Sequence, residues 1–137
     1  LFSCPNFKQY TNSLVPGKFD DSSLERDETR LLIPFMDSNK NVHAYQGRAL
    51  GPSAVKYITI ILDESVPKVY GLDRVNFDRT VYVVEGPIDS MFLPNSIASC
   101  GGDIVSNFSS SGINPTNIVV VYDNEPRNKE TIKQCFK

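Results

Sequence analysis

Tryptophan is absent from these 137 residues, histidine occurs once (His43), and cysteine three times (Cys4, Cys100 and Cys135). The cysteines are far apart and none stands in a Cys-x-x-Cys pair, which argues against a structural zinc site. Their odd number argues against a disulfide framework, so a reducing, cytoplasmic setting is the expectation. No apolar run approaches the roughly 20 residues of a membrane-spanning helix. The longest, Tyr57 to Leu62 and Ile118 to Tyr122, are strand-sized, and no membrane association is expected. The N-terminus lacks a basic stretch followed by an apolar one, so it does not read as a signal peptide. A positive surplus is missing too: Lys and Arg number 14 against 16 Asp and Glu. Any nucleic-acid contact therefore has to come from a local patch. The chain opens on Leu1, not Met, and is expected to be a piece of a longer protein.

What is present is an ordinary globular balance, 40% hydrophobic and 22% charged. It fits one domain, or one domain with a small lobe. Residues 1–30 are polar and turn-rich, and read as loop with one short helix near Ser23 to Thr29. Residues 31–62 read as antiparallel β structure. LLIPFM and VHAYQGRAL flank the turn-rich DSNKN, and KYITIIL follows after Gly51-Pro52. Pro34 within the first run points to an edge position or a bulge. His43 falls on an alternating strand and reads as a surface or half-buried residue. Residues 63–80 read mostly as loop.

The character then changes. VYVV (81–84), IASC (97–100) and NIVVVY (117–122) are short β-branched runs without alternation. Such runs suit parallel strands covered on both faces. PIDSMFL, DIVSNFSSS and RNKETIKQCFK fall after them as helical segments, giving an open α/β layout. The expected division is a lobe over 1–79 and a second domain over 80–137. The first carries ten basic and ten acidic residues and the second four and six, so the second is the acidic one.

Ligands of open parallel sheets gather beyond the carboxyl ends of the strands. The first of these strands runs into Glu85-Gly86-Pro87-Ile88-Asp89, and the third into Asp123-Asn124-Glu125. If the strands are neighbours, these carboxylates converge, and their mutual repulsion calls for a cation. Hard oxygen donors suit Mg²⁺ or Mn²⁺. Gly86 clears a side chain from the approach. The middle strand ends in Cys100-Gly101-Gly102-Asp103, a turn whose backbone could approach phosphate. Asp89 and Asp103 also fit the plain role of helix caps. Cys100 reads as a small buried hydrophobe.

The order hydrophobic strand, Glu-Gly-x-x-Asp, strand-Gly, then strand with Asp-x-acid resembles the Toprim domain. That domain is shared by bacterial-type primases, type IA and II topoisomerases, recombination-repair proteins and certain nucleases. The upstream phrases LLIPFMDSNKNVHAYQGRAL, VKYI and VYGLDRV, followed by VYVVEGPIDS, resemble the catalytic core of bacterial and phage replicative DNA primases over residues 31–127. The resemblance implies a Toprim-like open parallel sheet with an N-terminal lobe bearing an antiparallel hairpin. It implies synthesis of short RNA primers on single-stranded DNA from ribonucleoside triphosphates with Mg²⁺ or Mn²⁺, as a nucleotidyltransferase working with a replicative helicase. Glu85 is similar to the family's essential acid. Asp89 and Asp123 match metal-binding acids, and Glu125 stands where the family has Asp. Arg48 and Lys56 match basic residues that hold template or nucleotide phosphate, and Lys68 lies near further ones. The family's zinc module is absent, a later acidic pair would lie past Lys137, and a fourth parallel strand is missing. The alternatives are a Toprim nuclease or topoisomerase fragment, or a nucleic-acid-binding module without catalysis.

Overall fold

The computed structural model describes residues 1–100 and 117–122. Asp123, Glu125, Cys135 and the helices expected within 103–111 and 127–137 lie outside the described residues. Two compact units are formed. One comprises Leu1–Phe35 with Val42–Glu64, and the other takes in Met36–Asn41 and the described residues from Ser65 onward. Residues 65–79 thus go with the later unit, earlier in the chain than the change of sequence character near residue 80.

The first unit is a four-stranded sheet in the order β1-β2-β3-β4, with β1 at Phe2–Cys4, β2 at Arg30–Met36, β3 at Val42–Ala49 and β4 at Tyr57–Ile61. β4 runs antiparallel to β3, with Tyr45 opposite Ile60 and Arg48 opposite Tyr57. Within the β2–β3 turn the Asp37 carboxylate accepts the N–H groups of Asn39 and Asn41, both at 2.9 Å. β2 is an interior strand, not an edge, yet Pro34 is tolerated for a related reason. The β1 pairing stops at Leu32, so Pro34 lies beyond the stretch of β2 that β1 covers.

Residues 1–30 hold more structure than their polarity suggests. Helix α1 spans Phe7–Leu14, α2 spans Asp21–Leu24, and β1 precedes both. The expected helix at 23–29 sits earlier, capped by Asp20, whose carboxylate accepts the Ser23 N–H at 2.7 Å. No local side chain caps α1. Its exposed N–H groups at Lys8 and Gln9 go instead to the Asp27 carboxylate, at 2.8 and 3.0 Å. α1 buries Phe7 and Thr11 against β3. The Phe7 ring meets Tyr45 edge-on at 5.8 Å, and the Tyr45 hydroxyl donates to Thr11 Oγ1 at 2.8 Å. A Cβ at Gly47 would overlap the Phe7 ring, so glycine is what lets the helix sit on this strand. His43 is buried rather than at the surface, with its ring 6.2 Å from that of Phe35.

The second unit is a sheet in the order β5-β7-β6-β8, with β5 at Val69–Tyr70, β6 at Val81–Val84, β7 at Ser96–Ser99 and β8 at Ile118–Val120. β6 pairs in parallel with both β7 and β8, whereas β5 pairs antiparallel with β7. The sheet is therefore mixed, not purely parallel as expected, because two residues read as loop add an antiparallel edge. Val69, Val81, Val83 and Ile97 form the buried core, with Leu72, Val75, Phe77, Val120 and Tyr122 against it. Asn95, at φ +48°, ties the loop before β6 to the start of β7. Its amide donates to the carbonyls of Asn76 (3.0 Å) and Thr80 (2.7 Å), and its side-chain oxygen accepts the Asn76 N–H (2.7 Å).

Two outcomes follow. Gly47→Ala should lower stability by about 1–3 kcal/mol, since Phe7 is itself fully packed; an unchanged thermal midpoint would contradict this packing. Cys100 is buried, and burial pushes its thiol pKa from 9.0 up to about 12, with Lys68 pulling weakly the other way. The folded state thus holds this proton more tightly than the unfolded chain. The stabilisation is whole below pH 9 and is lost as pH rises toward 12. In a Cys4→Ser/Cys135→Ser background, a thiol reagent at pH 8 should label Cys100 only on unfolding, and rapid labelling of the folded protein would contradict this.

Candidate active site

The site is built on the carboxyl end of β6. Val81, Val83 and Val84 are buried, so the strand is fixed by packing up to the point where its polarity changes. Glu85 follows, half-buried. Gly86 then takes an extended conformation as the N-cap of α3 (Pro87–Met91), and Pro87 opens the helix. Proline suits that position because its φ is preset and its absent N–H would have no helical partner. Asp89 lies in the first turn of α3 and is exposed. A Cβ at Gly86 would come within 3.1 Å of Asp89 Oδ2, so the Asp89 carboxylate folds back over the Gly86 backbone. Gly86, with no side chain, is the N-cap and no side-chain bond caps the helix, so Asp89 does not serve as that cap.

The neighbours of β6 bring their own ends to this edge. On one side Val83 is opposite Val120, and the Val121 N–H donates to the Val83 carbonyl at 2.8 Å. β8 thus runs alongside β6 toward Tyr122, the residue that immediately precedes Asp123. On the other side Val84 is opposite Ala98, and β7 leads to Cys100. β5 is antiparallel, so its first residues lie at this same edge. Val69 is opposite Ser99, and the half-buried Lys68 just before it is close enough to Cys100 to lower its pKa. Lys68 is accordingly a cation at the carboxyl edge that also carries Glu85.

α3 is braced from behind by residues that sequence reading did not single out. Ser90 is buried and shares hydrogen bonds with Ser96 Oγ (2.9 Å) and the Ser96 carbonyl (3.2 Å). Arg74 donates to Ser90 Oγ at 2.6 Å, and its guanidinium lies 4.9 Å from the centre of the Tyr70 ring. Gly71, at φ +99°, makes the turn between Tyr70 and Arg74. The Tyr70-Gly71-Leu72 phrase carried that turn in the sequence, but nothing in it announced the partner on α3.

In the first unit, Arg48 and Lys56 come to one end of the β3–β4 pair. Arg48 is half-buried, with its guanidinium 5.3 Å from the ring of its cross-strand partner Tyr57. Lys56 is exposed, and its carbonyl accepts the Ala49 N–H at 2.9 Å. Both cations thus lie at the end of the pair where β3 leaves and β4 begins.

Among the described residues no three His, Cys, Asp or Glu side chains gather as a metal-binding group. The described carboxylates, Glu85 and Asp89, supply hard oxygens of the kind Mg²⁺ takes, with a backbone cleared between them at Gly86. No helix among the described residues is long and apolar enough to cross a membrane.

No protein-family model matches the chain. Along its whole length the chain is 40% identical, over 141 aligned residues, to the DNA primase of Enterobacteria phage T4, and it spans 38% of that protein. Its fold resembles a DNA primase domain from Pseudomonas aeruginosa, with a TM-score of 0.66 at 18% identity, covering 96% of this chain and 46% of that one. It also resembles a primase catalytic domain solved with single-stranded DNA bound, with a TM-score of 0.53 at 20% identity, covering 70% of this chain and 37% of that one. The chain is thus homologous throughout to a DNA primase and has the mixed α/β fold found in primase catalytic cores.

Proposed function

We propose that this chain forms part of the catalytic core of a replicative DNA primase of the Toprim type, a nucleotidyltransferase that makes short RNA primers on single-stranded DNA. The observation that carries this reading is the whole-length identity to a DNA primase. The parallel pairing of β6 with β7 and β8, which leaves Glu85 at a shared carboxyl edge, supports it. Single-stranded DNA on a primase catalytic domain of the same fold supports the choice of template. The partners on this reading are template DNA, ribonucleoside triphosphates and a replicative helicase, in the cytoplasm of a bacterial or phage-infected cell.

In this reading Glu85 is the central acid, and Asp89, Asp123 and Glu125 complete a carboxylate set for Mg²⁺ or Mn²⁺. When bound, the ion would lower the pKa of the attacking 3′-hydroxyl and neutralise charge on the transferring phosphate. The chain's own residues do the placing. β6 fixes Glu85 at the end of a packed strand, and α3 returns Asp89 over Gly86. Lys68 offers a cation to nucleotide phosphate at the same edge. Arg48 and Lys56 hold nucleic-acid backbone in the other unit, where charge supplies most of the affinity for single strands.

Primer synthesis by the full protein on single-stranded template, with ribonucleotides and Mg²⁺, tests the reading. Wild type should yield primers, and Glu85→Gln should reduce the rate by roughly a thousandfold, as expected when electrostatic stabilisation of the transition state is removed. Gly86→Ala should cost roughly tenfold by displacing the Asp89 carboxylate. Plasmid nicking without primer synthesis would favour a nuclease, and full activity in Glu85→Gln would overturn the assignment of the central acid.

A further inference from the structure

Arg30 is about 1% exposed, the largest fully buried side chain described in the chain. A buried guanidinium is costly and needs partners for its charge and its donors. Arg30 has an unusual set of them. Glu28 supplies the countercharge. Nη1 donates to the carbonyls of Gly47 (3.1 Å) and Lys56 (3.4 Å). Nη2 donates to the Val55 carbonyl (2.9 Å) and Ser53 Oγ (3.4 Å). Nε has no hydrogen-bond partner among the described residues, so the group's position is set by its two terminal nitrogens. Its central carbon lies 5.9 Å from the centre of the Phe7 ring.

These acceptors are not scattered. Gly47 directly precedes Arg48, and Val55 and Lys56 are the residues that bring the chain into β4. The segment 50–56 has no regular structure of its own. Beyond the Arg30 fork, the described bonds that hold it are the Ala49 N–H to the Lys56 carbonyl and the contacts of the Ser53 hydroxyl with Glu28 and Val55. A planar fork can span the strand and the loop at once, which an ammonium cannot do. The geometry points to Arg30 as a positioning residue for Lys56: it ties the Val55 and Lys56 backbone to β3 at Gly47, so that Lys56 is presented to nucleic-acid phosphate. This rests on the reading of Lys56 as a nucleic-acid contact.

The test measures binding of the full protein to a labelled single-stranded oligonucleotide across a salt series. The variants are Lys56→Ala, Arg30→Lys and the double variant Arg30→Lys/Lys56→Ala. Lys56→Ala should weaken binding and reduce the salt slope by about 1. Arg30→Lys keeps the charge but loses the fork, and should weaken binding roughly tenfold, the size of a charged hydrogen bond. Because Arg30 acts through Lys56, the double variant should bind within about twofold of Lys56→Ala. Fully additive losses would show a general structural effect and overturn the proposal, as would wild-type binding by Arg30→Lys. If Lys56→Ala leaves binding unchanged, the reading of Lys56 as a contact falls, a different failure from that of Arg30. Should Arg30→Lys fail to fold, Ser53→Ala loosens the same loop from outside the core. It should lower affinity in the wild-type background and have no effect in Lys56→Ala, and equal effects in both would overturn the proposal.

Discussion

The parallel pairing of β6 on both flanks is the constraint on which the second unit depends. A strand that buries Val81 and Val83 in the core and is bonded on both edges has no freedom of register, since a one-residue slip would turn both out of that core. The end of such a strand is therefore a fixed point. Glu85 stands one residue beyond it, where packing ends and polarity begins. β7 and β8 run to the same edge, and β5, reversed, brings Lys68 there as well. Charge of both signs is thus collected by backbone pairing rather than by side-chain attraction.

Small residues refine what the strands set. Gly86 admits the Asp89 carboxylate, and Gly47 admits the Phe7 ring. In each case the absent side chain brings together two groups distant in role: a strand end with a helix acid, and a helix with a strand. Arg74 and Arg30 perform comparable work with long side chains. The first ties the loop after β5 to α3 through Ser90, and the second ties β3 to the loop before β4. Both use the guanidinium as a connector, where its fixed fork suits it better than an ammonium.

The strands were legible in the sequence where burial is strongest. VYVV, IASC and NIVVVY became β6, β7 and β8 because short runs of small and β-branched residues without a helical period suit buried strands. The carboxyl-edge site was legible as far as Glu85, Gly86 and Asp89, since polarity changes abruptly there. What escaped was structure held by distant partners. α1 is capped by Asp27, nineteen residues along from Lys8, so no local signal marks its start. β5 is two residues long and exists only through its pairing with β7. His43 alternates as a half-exposed strand residue would, yet β3 is buried along both faces from His43 to Gly47. Nothing in the sequence singled out Arg30, because most of its acceptors are main-chain carbonyls, which a sequence does not display.

The central claim is that the acids after β6 and β8 share one divalent ion. Replacing Mg²⁺ with Fe²⁺ in the full protein, then adding ascorbate and peroxide, cuts backbone near the bound metal, and the fragments can be mapped. The account expects cleavage at two stretches only, around Glu85–Asp89 and around 123–125, suppressed together by excess Mg²⁺. Cleavage at one stretch without the other, or at neither, would contradict it.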